Sequence, residues 1–167
     1  MNVFTIDKGL SQSWEMEFIV ASGTAASIGR GVPSFCKTAD GSVAGTVVVG
    51  ADGDGLVTGE RFTGLAKSVS TETASAAGVV GTWAPVPGLI YRGSPKVANS
   101  VDTQAEINAL MGKKVLFDLT STKWTVDTAA TDALVNCVVI VGGIPAADEV
   151  LFIYSPKGTI FDTSTAI

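Results

Sequence analysis

Histidine is absent from the 167-residue sequence. Because Ser-His-Asp and Cys-His catalysis both use an imidazole base, this absence removes the usual nucleophile arrangements together with the commonest metal ligand. The two cysteines, Cys36 and Cys137, lie far apart and form no CxxC pair. A disulfide between them stays open as an alternative, but two buried thiols that pack as small apolar side chains are the favoured state.

Charge is also scarce, since only 16% of the residues are charged and the net charge is −5. Eleven Lys and Arg among sixteen acids do not supply a basic face, so we expect neither a nucleic-acid partner nor an anionic membrane partner. The first eight residues lack the regions of a signal peptide, and the best apolar run, residues 138–141, is too short to span a bilayer. We therefore expect a soluble protein that is synthesised in a host cytoplasm.

The sequence contains partial matches to catalytic and metal-binding motifs, but none of these motifs is complete. Ser34-Phe35-Cys36-Lys37 has the S-x-x-K spacing of serine acyl-transfer enzymes, but Pro33 does not favour the helix that the motif needs. Asp52-Gly53-Asp54-Gly55 fails the EF-hand pattern because Leu56 stands at position 5, so a hairpin turn is favoured. No phosphate-binding glycine loop occurs. We assign no catalytic, cofactor-binding or metal-binding residues, no cofactor and no enzymatic activity.

The residues that are abundant are small or β-branched, with 19 glycines and few aromatics. Such a composition favours short strands joined by tight turns. In the first predicted strand, Trp14, Met16 and Phe18 fall on one face at period two. We predict strands at residues 14–20, 45–50, 56–58, 61–66, 78–83, 88–93, 114–119, 123–127, 134–141 and 149–154.

One helix is predicted. Thr103-Gln104-Ala105-Glu106 is a capping box, in which the Thr103 and Glu106 side chains satisfy free backbone amides. Ile107, Leu110 and Met111 give this helix an apolar face, and Gly112 ends it.

Together these signals predict a mainly β fold, a small β-barrel or β-sandwich with one short helix and extended terminal arms. We divide the chain into an N-terminal arm or strand segment (residues 1–35), a β-barrel-like domain (36–155) and a C-terminal tail (156–167). Within the first segment, residues 21–31 are small and have little to pack, so we expect an arm that a partner orders.

Three stretches resemble the capsid decoration, or cement, proteins of tailed bacteriophages. Residues 59–66, with the pattern G-x-x-x-x-G-L-A, look like an early strand of that family. Val115-Leu116-Phe117-Asp118 followed by Lys123-Trp124-Thr125 is similar to its hairpin. The strand at residues 134–141 and the stretch 146–153 resemble its closing strand pair.

The resemblance implies a structural virion protein with a small β-barrel. Such proteins sit on the capsid exterior, often as homotrimers, and stabilise contacts between neighbouring major capsid subunits. The expected partners are thus the major capsid protein and further copies of this chain. Two other hypotheses stay open: a carbohydrate- or receptor-binding module (head fibre or lectin-like) that uses Trp83, Tyr91 or Trp124, and a small hydrolase with paired carboxylates.

Overall fold

β-Strands dominate the computed structural model, which describes residues 5–8, 15–23, 28–37, 46–50, 60–86, 88–129, 138–155 and 159. The strands within these ranges are β1 (Thr5–Lys8), β2 (Glu15–Val20), β3 (Pro33–Lys37), β4 (Thr46–Val49), β5 (Glu60–Ala66), β6 (Gly78–Trp83), β7 (Ile90–Gly93), β8 (Lys114–Thr120), β9 (Lys123–Asp127), β10 (Val138–Ile144) and β11 (Glu149–Tyr154). The helix α1 spans Gln104–Leu110, and a 3-10 turn spans Pro145–Ala147. The predicted mainly β class is confirmed.

Five of the strands close into a barrel in the order β2-β4-β3-β5-β6. β2 pairs antiparallel with β6 over its full length and makes a short parallel pair with β4. On the inward row of β2, Met16 and Phe18 are half-buried and Val20 is buried, as the period-two pattern predicts; Trp14 lies outside the described residues. The boundary drawn between residues 35 and 36 falls inside β3, so the N-terminal segment supplies β2 and most of β3 to the barrel.

The other six strands form a sheet in the order β1-β7-β11-β10-β8-β9. β8 and β9 are the predicted hairpin, joined by a turn in which Ser121 has a φ of 60°. After β7 the chain returns to the far edge of the sheet, where Pro95 bridges Val126 and the Val126 N–H donates to the Ser94 carbonyl at 3.0 Å. This return makes the sheet curl toward closure.

One aromatic core joins the barrel to the curled sheet. The Phe62 ring of β5 lies 4.3 Å from the Tyr154 ring of β11 and 5.7 Å from the Phe117 ring of β8, centroid to centroid. Trp124 of β9 is only 4% exposed and reaches the chain just after β4, where a Cβ on Gly50 would lie 3.1 Å from its Cη2. The two layers therefore share their buried side chains and stabilise each other.

The capping box of α1 is confirmed. Glu106 N–H donates to Thr103 Oγ1 at 3.3 Å, while the Thr103 N–H donates to the Glu106 carboxylate at 3.0 Å. Ile107 is buried against β10, where a Cβ on Gly143 would lie 2.6 Å from its Cδ1. Met111 does not belong to the apolar face, contrary to the prediction, because it is the C-cap with extended ψ and is 54% exposed.

Other expectations are corrected by the structure or fall outside the described residues. Ile28, within the segment expected to have little to pack, is buried, and its N–H donates to Ser70 Oγ at 2.8 Å; residues 24–27 of that segment are not described. Gly142 and Gly143 continue β10 past a bulge, although the predicted strand ends at residue 141. In the tail, Thr159 is buried and bridges Phe62. The predicted turn at 52–55 and the strand at 56–58 lie outside the described residues.

Candidate functional surface

Ser34 of the S-x-x-K sequence lies on a strand and not on a helix, so the one-turn juxtaposition of Ser and Lys that the motif requires does not form. Its hydroxyl is fully buried, lies 2.8 Å from Thr63 Oγ1 and donates to the Gly64 carbonyl at 3.0 Å. This hydroxyl holds β3 to β5. Cys36 on the same strand is a free, half-buried cysteine, and Cys137 lies outside the described residues.

Two of the three aromatic residues considered for sugar binding are buried. Tyr91 is fully buried, and its hydroxyl donates to the Ala84 carbonyl at 3.1 Å; burial raises the pKa of Tyr91 above its usual range. Trp124 is buried in the core, and Trp83 is half-buried and packs against the core. A sugar ring needs an exposed aromatic face to stack on, and neither Tyr91 nor Trp124 offers one.

An ion-pair cluster fastens the curled sheet. Lys96 Nζ lies 2.7 Å from the buried Asp118 carboxylate and 2.8 Å from Asp127. Burial opposes ionisation of Asp118, but hydrogen bonds from Lys96 and Thr120 and the charge of Lys96 outweigh it and lower the pKa of Asp118. The hydrogen bonds to Asp118 and Asp127 raise the pKa of Lys96. Both carboxylates are engaged by the same ammonium group, which ties the chain after β7 to β8 and β9, so we assign the cluster a structural role.

A second group of acids caps backbone amides near α1. Asp148 accepts from the N–H groups of Asn99 (2.7 Å) and Val101 (3.2 Å). Hydrogen bonds from Thr103 lower the pKa of Glu106, and the hydrogen bond between Asp102 and Glu106 raises the pKa of Asp102. Across the described residues, no group of three or more His, Cys, Asp or Glu has an arrangement that could hold a metal ion.

Two exposed apolar side chains lie side by side on the outside of the barrel, and a third lies in the segment that follows β5. Ile19 of β2 and Val79 of β6 are register partners and are 54% and 36% exposed. Beyond β5 the chain continues alongside β6, because the N–H groups of Lys67 and Thr71 donate to the carbonyls of Gly81 and Val79. Val69, between those two hydrogen bonds, is 59% exposed. An exposed apolar pair on two adjacent strands, with a third exposed apolar residue in the neighbouring segment, makes this face the candidate protein interface.

Charged residues border this apolar group. Glu15 and Glu17 stand on the same row of β2 as Ile19, at period two. Lys67 Nζ lies 2.6 Å from Glu15 Oε2, and both side chains are about half exposed. We define the β2–β6 face as Glu15, Glu17, Ile19, Lys67, Val69, Thr71 and Val79.

A groove of about 390 Å³ crosses the face, and it is lined by Glu15, Met16, Glu17, Lys67, Ser68, Thr71, Val79 and Gly81. Its volume is in the range of small-ligand sites, but such sites are enclosed and mostly apolar, whereas this groove is shallow and carries three charged side chains. The arrangement fits contact with another macromolecule better than capture of a small molecule.

Sequence reasoning did not single out Ile19, Val69 or Val79. The alternation along residues 15–19 was a usable signal for Ile19, because it places two acids and an isoleucine on one side of a strand. Nothing in the local pattern marks Val69, whose place depends on pairing with β6.

Comparison with protein families, characterised proteins and solved structures found no match to this chain. In the part of the chain that the structure describes, no helix is long and apolar enough to cross a membrane.

Proposed function

We propose that this chain is a structural virion protein that binds the outside of an assembled bacteriophage capsid and stabilises contacts between major capsid subunits. The observation that carries the proposal is the β2–β6 face, where exposed Ile19, Val69 and Val79 lie on a barrel whose core is shared with a second sheet. A preformed, rigid apolar face costs little conformational entropy on binding. The proposal that the partner is a bacteriophage capsid rests on the sequence resemblance to capsid decoration proteins.

The same proposal places the protein on the capsid exterior, with the major capsid protein as partner and a homotrimer as the assembly, and it includes no catalytic step. The described polar side chains support a non-catalytic role, since the Ser34 hydroxyl and the Lys96 cluster are both engaged in structural contacts. A carbohydrate-binding role is less well supported, because Tyr91 and Trp124 are buried.

The experiment uses capsids from which this protein has been stripped. Capsids are heated with and without the purified chain added back, and DNA release is followed by the fluorescence of an intercalating dye. Because binding to the assembled lattice alone shifts the equilibrium toward it, we expect release at a higher temperature when the chain is present. Release at the same temperature in both samples would refute the proposed function.

A further inference from the structure

We propose that the β2–β6 face binds a segment of a different protein that carries Lys or Arg beside apolar side chains. This inference rests on the proposed function only in taking another protein as the partner. It specifies the chemistry of the contact, which the proposed function leaves open.

The apolar part of the contact follows from the sheet register. Ile19 and Val79 are directly opposed on adjacent strands, and neighbouring side chains on one face of a sheet lie about 4.5–5.5 Å apart at Cβ. Val69 lies beside β6 on the side away from β2. Ile19 and Val79 therefore form an apolar pair on the face, and exposed Val69 lies in the segment that runs beside β6; we call these three side chains the apolar band.

The preference of the face for a positively charged partner follows from the acidic side chain that remains after Lys67 has paired with Glu15. Lys67 neutralises Glu15 at 2.6 Å. Within the described part of the chain, the Glu17 carboxylate takes part in no ion pair or hydrogen bond, although it lines the groove. The face thus carries one unmatched negative charge next to its apolar band, and a partner cation placed there gains a charge pair and approaches faster.

A second copy of the chain fits this face poorly. In a two-fold contact the same patch meets itself, so both copies would bring the same surplus acid. In the proposed homotrimer the face would instead meet a different surface of the next copy, and that chain also carries a net charge of −5. Like charges placed together across an interface are unfavourable. The chemistry of the face therefore favours a different, basic partner.

At the centre of this face the backbone is already paired on both sides. Ile19 pairs with Val79 of β6 and with Thr46 of β4, and Val79 is paired in turn with the segment after β5, whose Thr71 N–H donates to the Val79 carbonyl. The partner segment must bind through its side chains, which makes the band and Glu17 the determinants of specificity.

The test uses two synthetic six-residue peptides, one alternating Val and Lys and the other alternating Val and Glu, titrated into the isotope-labelled full chain. Methyl NMR signals of Ile19, Val69 and Val79 are followed. We expect the Lys peptide to shift these signals and the Glu peptide to bind at least about fivefold more weakly. Glu17→Gln should weaken binding of the Lys peptide about two- to fivefold, the usual value of one exposed ion pair.

Matched variants separate the face from general effects of charge and hydrophobicity. Ile19→Ser combined with Val79→Ser should weaken binding of the Lys peptide more than about tenfold, read from the Val69 methyls. Val97→Ser removes an equally exposed apolar side chain outside the face. Ala105→Lys changes the net charge by the same +1 as Glu17→Gln, at an exposed position on α1. Both controls should bind like the unchanged protein.

Three results would overturn the inference. These are the absence of shifts at the three side chains, equal binding of the two peptides, and self-association in sedimentation that the Ile19→Ser, Val79→Ser variant abolishes. The capsid assay separates this inference from the proposed function. If heat protection survives in the double variant, the face is not the lattice contact although the function stands. If peptides bind at the face but capsids are not protected, the face stands and the proposed function fails.

Discussion

At the scale of single residues, Trp124 connects the β8–β9 hairpin to the barrel. Its ring stands perpendicular to Phe117 at 6.4 Å and reaches Gly50, whose missing side chain leaves the space that the indole fills. We predict that Trp124→Ala lowers the free energy of unfolding by about 3–5 kcal/mol, the usual penalty for an emptied buried Trp site. Urea unfolding measures it, with Trp124→Phe as the milder control. A loss below about 1 kcal/mol would mean that Trp124 is exposed in solution.

Glu72 is a half-buried acid in the loop that precedes β6. Among the described residues, neither of its carboxylate oxygens has a hydrogen-bond partner, and the loop lies so close to Gly78 that a Cβ there would clash with the Glu72 backbone. Burying a polar group without a partner costs about 1–3 kcal/mol. We predict that Glu72→Met, which keeps the length of the side chain, raises the free energy of unfolding by about 1 kcal/mol or more.

The matched control for that measurement is Glu17→Met, since the Glu17 side chain is exposed and its replacement should change stability by less than about 0.5 kcal/mol. Equal stabilisation by both variants would point to a general effect of net charge. Destabilisation by Glu72→Met would show that the carboxylate finds a partner in solution.

At the scale of elements, the Lys96 cluster fastens residues 94–96 to β8 and β9 and thereby closes the curled sheet. The pKa of Asp118 is lowered in the folded protein, so its ionisation stabilises the fold at any pH above its unfolded value of about 4. That stabilisation is lost as the pH falls below about 4 and through the lower pKa of the folded state.

We therefore predict that the midpoint of urea unfolding falls between pH 5 and pH 2, and that Lys96→Met makes this fall smaller. Without the ammonium group, the pKa of Asp118 moves back toward or above its ordinary value, because burial then dominates. Lys123→Met, at the exposed end of β9, is the control for loss of a positive charge. An identical pH profile for Lys96→Met and the unchanged protein would contradict the role given to the cluster.

Short-range sequence signals correctly predicted the elements whose residues carry such a signal within the element itself. The capping box predicted the start of α1, alternation predicted β2, and the strands predicted at residues 114–119, 123–127 and 149–154 correspond to β8, β9 and β11. β3 was missed because it begins with proline and carries mixed polar and apolar residues. The predicted strand ends at residue 141, before the end of β10, because Gly142 and Gly143 are typical of a loop. In the structure, Ile107 packs so closely on Gly143 that this position requires a residue without a side chain.

At the scale of the whole molecule, the pairing of strands that are distant in the chain determines where the candidate surface lies, and this pairing could not be predicted from the sequence. Ile19 and Val79 are sixty residues apart in the chain and become neighbours only through the antiparallel β2–β6 register. The parallel β2–β4 pair and the contact of Phe62 with Tyr154 are equally non-local. The β class follows from composition, but the candidate surface depends on topology, which period-two patterns do not specify.

The last prediction concerns salt and belongs to the assembled particle. Many copies, each bridging lattice subunits through a mainly apolar face, gain avidity without strong single contacts. One unmatched acid per face, Glu17, gives at most one added ion pair per contact, and exposed pairs contribute about 0.2–1 kcal/mol. Between 0.1 M and 1 M salt the screening length falls from about 10 Å to about 3 Å, which removes such a pair but leaves apolar contacts intact.

We therefore expect the number of copies retained per capsid to change little between 0.1 M and 1 M NaCl, measured by quantitative gel analysis after sedimentation of the particles. Glu17→Gln should be retained to the same extent as the unchanged chain at 1 M and only slightly less at 0.1 M, because the charge pair matters only while it is unscreened. Complete release of the unchanged chain at high salt would show that ionic contacts dominate. Binding to the capsid would then stand, while the apolar band of Ile19, Val69 and Val79 would no longer explain it.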